Sequence, residues 1–257
     1  MKTFYRLLAY ECSRMIRETL LLCAAAVIVP LILLNGAIKS YHEFGVVDRY
    51  EDLYRSSGGI TVFFILLGLL TAVFLRNVYA AYWGGKSIYT FLTLPVRRYA
   101  VYWSKLISFA LAVLLLLAAT LLTVRLGYGL VEAKVSSLAE GRYVSANGLF
   151  LAFIRSNFLR MLLPFSLNGV LSSLALLTAL LTGVYYAALL ERSKRYWGFL
   201  LVVTAACLMM KEWSFRMGLP NYYLEYKDYY IRSFILLGLS VFFVWHGSRL
   251  IKKGAIA

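Results

Sequence analysis

LISFALAVLLLLAATLLTV, residues 106–124, is an uninterrupted apolar run with no charge in it. A helix rises about 1.5 Å per residue and the hydrocarbon core of a bilayer is about 30 Å thick, so a run near twenty residues is what a spanning helix requires. LLLCAAAVIVPLILLNGAI at 20–38 meets the same standard, and residues 58–75 continue past Arg76 into VYAAYW at 78–83. Residues 161–190 suffice for one tilted helix and are too short for two, with Pro164 and Gly169 as places to bend or begin. Residues 196–210 are short, so the fifth span is either complete or broken and partly re-entrant; 233–248 carry only His246 and complete the six. The whole chain agrees with its parts: 61% of its 257 residues are apolar and 15% charged, and its mean hydropathy is +0.74. No soluble fold of this length hides that much apolar surface.

Basic flanks resist translocation and acidic flanks matter little, so Lys and Arg set the orientation. Six spans put residues 1–19, 76–105, 191–195 and 249–257 on one side, with fifteen basic residues against three acids. The other side holds twelve basic residues and nine acids. Net charges of +12 and +3 predict a multi-pass protein of the cytoplasmic membrane with both termini in the cytoplasm. Because the cations punctuate membrane spans, they read as topology and as attraction to anionic lipid headgroups, with no nucleic-acid partner.

Residues 1–18 show helical periodicity, with Phe4, Tyr5, Leu8, Cys12, Met15 and Ile16 on one face and Arg6, Ser13, Arg14 and Arg17 largely opposite. An apolar stripe at the headgroup boundary with cations in water predicts an in-plane interfacial helix, for which Phe4, Leu8, Met15, Arg14 and Arg17 are the defining residues. The connections expected on the far side, 39–57, 132–158 and 211–232, are too short to house a domain with its own core. Function therefore falls to the membrane bundle and its partners.

No catalytic constellation is visible. The firm spans contain no ionisable group, and no paired carboxylates, His cluster or Ser-His-Asp set lies within the membrane. Cys12, Cys23 and Cys207 form no C-x-x-C pair and only His42 and His246 are imidazoles, so no metal site is expected. AAYWGGKS at 80–87 satisfies a relaxed P-loop pattern, but a membrane helix precedes it where a strand is needed, and no Asp stands in these loops to hold magnesium. This chain is expected to bind no cofactor. Any ATP would be hydrolysed on another subunit.

YWGGKSIYTFLTLPVRRYAVYWSKL, residues 82–106, is the informative connection. Glycines break the second span, a short amphipathic helix follows from about Lys86 to Thr93, and Pro95 stops it before a basic re-entry. Ile88, Tyr89, Phe91 and Leu92 concentrate apolar surface outside the membrane, where it requires a partner. The segment LTLPVRR at 92–98, followed by WSKL at 103–106, resembles the T-L-P-V-S-R and S-K-L motifs of the permease subunits of type-2 ABC exporters. The N-terminal amphipathic helix is similar to that family's connecting helix, and six spans with a short basic tail match its architecture over nearly the whole chain.

The resemblance implies an all-α membrane fold: a connecting helix over 1–18, spans near 20–38, 58–82, 103–125, 161–190, 196–211 and 231–249, and no extracellular domain, as one transmembrane domain over 1–257. It implies a coupling segment at 84–98 in which Lys86, Ser87, Ile88, Tyr89, Thr90, Phe91, Leu92, Thr93, Leu94 and Pro95 contact a cytoplasmic ATPase carrying ATP and magnesium. A second permease, identical or homologous, completes the transporter. The expected cargo is amphipathic or hydrophobic, such as a peptide antibiotic, a drug or a lipid, as in antimicrobial-peptide immunity and drug-resistance systems. The competing expectation is a six-span scaffold or sensor, or a membrane enzyme whose residues leave no recognisable pattern.

Overall fold

The computed structural model describes residues 2–39, 49–83, 98–138, 148–194, 196–218 and 226–252. Among these the chain is all-α, with nine helices and no strand. They are α1 (Lys2–Lys39), α2 (Tyr50–Ser56), α3 (Gly59–Trp83), α4 (Arg98–Leu138), α5 (Leu149–Arg155), α6 (Asn157–Leu162), α7 (Leu167–Arg192), α8 (Gly198–Gly218) and α9 (Tyr226–Lys252). Six of them, α1, α3, α4, α7, α8 and α9, are long and apolar enough to cross a membrane. The protein is a multi-span membrane protein.

Several boundaries differ from the sequence reading, the third span, expected over 103–125, running as α4 from Arg98 to Leu138. The expected interfacial helix and the first span are one unbroken helix of 38 residues, about 57 Å long, nearly twice the hydrocarbon thickness. The fourth span starts at Leu167 rather than 161, because the chain leaves α6 at Leu163 and Ser166 caps α7 by accepting from the Gly169 N–H. The fifth is a complete helix of 21 residues that runs on to Gly218, into residues expected to form a loop. The expected connections 39–57 and 132–158 likewise hold helix: α2 in the first, the end of α4 and then α5 and α6 in the second.

The chain divides into two compact units, and the division falls within α1, α3 and α4. One unit comprises Thr19–Leu70 and Val113–Pro164. Its centre is aromatic. Tyr50 stands edge-on to Tyr128 and donates its hydroxyl to the Val124 carbonyl at 2.8 Å, while Tyr54 stacks on Phe158, which meets Phe63 edge-on. Burial pushes the Tyr54 phenol up to about 12 and raises that of Tyr50 as well. Gly58, at φ 84°, makes the turn from α2 into α3 in a conformation that a side chain would strain.

Pro30 lies inside α1. Proline has no N–H, so the carbonyl four residues earlier, that of the fully buried Ala26, loses its helical donor. Thr123 of α4 places its hydroxyl 2.8 Å from the Ala26 oxygen and shares its one proton between that carbonyl and the Ala119 carbonyl of its own helix at 2.9 Å. In hydrocarbon an unpaired carbonyl costs several kcal/mol, which is why a neighbouring hydroxyl at this position matters.

The other unit comprises Met1–Glu18, Thr71–Ala112 and Phe165–Ala257. Phe74 stacks on Phe109 with centroids 4.1 Å apart, and Tyr185 meets Phe74 edge-on and stacks on Tyr102. Tyr186 lies against Phe243 and hydrogen-bonds His246 Nδ1 at 2.6 Å. These contacts bind α3, α4, α7 and α9 together, and all the charged contacts of interest belong to this unit.

Candidate functional site

The helices on either side of residues 84–97 are fastened by charged and polar contacts. The segment itself, with Lys86, Ser87, Ile88, Tyr89, Thr90, Phe91, Leu92, Thr93, Leu94 and Pro95, lies outside the described residues. The helix that leads into it, α3, is fastened near its end: Arg76 forms an ion pair with Glu18 of α1, and the Tyr79 hydroxyl donates to the Glu191 carboxylate of α7. The helix that leads out of it, α4, is fastened near its start. Lys105 Nζ lies 2.9 Å from Glu11 Oε1 of α1, and the two side chains are only 5% and 3% exposed.

Both flanks are thus tied to the same N-terminal helix, with unequal strength. The Glu18–Arg76 pair lies at the protein surface, the Arg76 side chain being 65% exposed, and surface pairs that water reaches contribute about 0–1 kcal/mol. Glu11 and Lys105 are withdrawn from water. Forming a buried pair gains little over an apolar one, because desolvation offsets the attraction, yet removing one partner costs about 3–5 kcal/mol. Glu11–Lys105 is therefore the pair whose disruption costs more.

The buried stripe of this end of α1 is Leu7, Glu11 and Met15, at helical spacing. Of the residues expected to define an interfacial helix, Met15 is buried, Phe4, Leu8 and Arg14 are half-buried and Arg17 is exposed, while Tyr5 and Ile16 of the expected apolar face are exposed. The sequence reading missed Glu11 because the amphipathic pattern was scored for apolar residues alone. A lone acid on the line from Leu7 to Met15, together with a lone Lys at the entry to the third span, was the available signal.

Charge also lies inside α8, where the sequence reading expected an external loop. Glu212 is fully buried and accepts from Ser172 Oγ of α7 at 2.7 Å; Arg216, one turn on, donates to Ser173 Oγ at 3.0 Å. These contacts lock α8 to α7. Cys12 and Cys23 are half-buried and Cys207 is exposed, all as free thiols, and no three metal-binding side chains gather among the described residues.

Comparison with protein-family models, with curated proteins and with solved structures finds no match to this chain.

Proposed function

We propose that this chain is the membrane subunit of an ATP-driven exporter of the type-2 ABC kind, working in the cytoplasmic membrane as one of a pair of permeases with separate cytoplasmic ATPases. The observation that carries the reading is the double attachment of the flanks of residues 84–97 to α1, through Glu18–Arg76 and through the buried Glu11–Lys105 pair. A force on a coupling segment reaches only the helices tied to it. Here the helices at both ends of the segment are tied to α1, so docking or closure of an ATPase on Phe91 and Leu92 would be felt by α1 as well as by α3 and α4. ATP binding would then bias the bundle between two states by favouring one of them. The resemblance of LTLPVRR and WSKL to the family's motifs supports the same assignment, and the apolar helices suit an amphipathic or hydrophobic cargo.

ATPase retention tests this reading. Phe91→Ala or Leu92→Asp should leave the protein inserted and monodisperse in detergent while weakening ATPase capture about thirtyfold, the equivalent of roughly 2 kcal/mol at a buried hot spot. ATPase association and cargo-stimulated hydrolysis that survive both substitutions would remove the coupling role.

A further inference from the structure

Between α3, α7 and α8 lies a recess of about 350 Å³. One end is polar, where the Glu191 carboxylate meets the Tyr79 hydroxyl. Phe199 lines the same end, since its neighbour Gly198 packs directly against Leu190. From there the recess follows α7 back to Leu180 and α8 on to Met209. Eleven residues of helix separate Leu180 from Glu191, or about 16 Å. The walls between are apolar and largely small, as at Gly183 and Ala206. A methylene takes roughly the 30 Å³ that a water occupies in the liquid, so the recess holds a chain of about a dozen carbons, with the head outside this volume at the open end where Glu191 is exposed.

Among the described lining residues the one charged group, Glu191, stands at this end. Three acids lie at this end of the unit. Glu11 and Glu18 are each neutralised by a cation. Glu191 is exposed, and its hydrogen bond among the described residues comes from a neutral phenol. Arg192 and Lys194 follow it in sequence, but neither lines the recess. A carboxylate beside two aromatic rings attracts an ammonium by charge and by the negative faces of the rings.

We propose that this recess binds a single-chain amphipath with a positively charged head, its ammonium against Glu191 and Tyr79 and its alkyl chain of about twelve carbons along α7 and α8. The site requires only the packing of these three helices and does not depend on an ATPase partner.

Equilibrium binding of radiolabelled dodecyltrimethylammonium to the full chain in dodecyl maltoside micelles tests it. The micelle supplies an excess of a neutral amphipath with the same chain, so saturable binding already demands recognition of the head. One site per chain is expected, displaced by unlabelled dodecyltrimethylammonium and not by dodecyl sulfate. Glu191→Gln should weaken binding roughly fivefold. Ala206→Phe, which fills the recess, should abolish it, and Tyr79→Phe, which keeps the ring, should retain it. Equal displacement by dodecyl sulfate, an unchanged affinity in Glu191→Gln, or absence of saturable binding would each overturn the proposal. Should a variant fail to fold, head-group competition on the wild-type chain still decides the matter.

Discussion

Glu11 and Lys105 are each almost fully withdrawn from solvent and each depends on the other. That interdependence predicts a specific pattern of stabilities. Glu11→Met leaves an ammonium buried without a counter-charge, and Lys105→Met leaves a carboxylate in the same position; each should cost about 3–5 kcal/mol. Glu11→Met combined with Lys105→Met removes both charges, and should recover most of that loss. Glu18→Gln, at the surface pair, should change stability by less than about 1 kcal/mol. Denaturation midpoints in detergent measure all four, and a double variant as unstable as the sum of the singles would show that the two charges act independently. If the export reading is right, the stable double variant should also keep its ATPase while transporting poorly, because the fastening between α4 and α1 would be apolar and less directional.

At the scale of elements, α1 shows how a helix tolerates a residue that breaks helices. Pro30 removes the donor for the Ala26 carbonyl, and Thr123 of α4 replaces it from outside the helix. Thr123→Val should therefore destabilise the protein by about 1–3 kcal/mol, the penalty for an unsatisfied buried acceptor. Pro30→Ala restores the N–H, so Thr123→Val should cost clearly less in that background. Thermal unfolding of the four proteins of this cycle gives the coupling directly. An equal cost in both backgrounds would mean that Thr123 acts through its other partner, the Ala119 carbonyl of its own helix.

For the whole molecule the open quantity is sidedness, and charge provides the prediction. With Cys12, Cys23 and Cys207 replaced, single cysteines at Ser87 and Ser193 should react with an impermeant thiol reagent only after the membrane is permeabilised. Cysteines at Ser57 and Ser137 should react in intact cells. The +12 and +3 division of charge motivates this. The reverse pattern would place residues 84–97 away from any cytoplasmic ATPase and dismantle the export reading.

The number of spanning helices was legible in the sequence because hydrocarbon thickness and backbone hydrogen bonding leave so few alternatives. An uncharged run such as 106–124 has no other stable environment. Helix ends were less legible, since the residues beyond each apolar run, such as 2–18 or 211–218, are mixed in polarity and continue the helix by local propensity and by packing that hydropathy does not measure. The charged contacts were beyond reach for a different reason. Glu11 lies 94 residues from Lys105 and Ser172 lies 40 from Glu212, and nothing local distinguishes an acid that faces water from one that faces a partner on another helix. Pro30 and Thr123 make the same point: one residue announces a missing hydrogen bond, but only the packing of α4 on α1 decides which hydroxyl fills it.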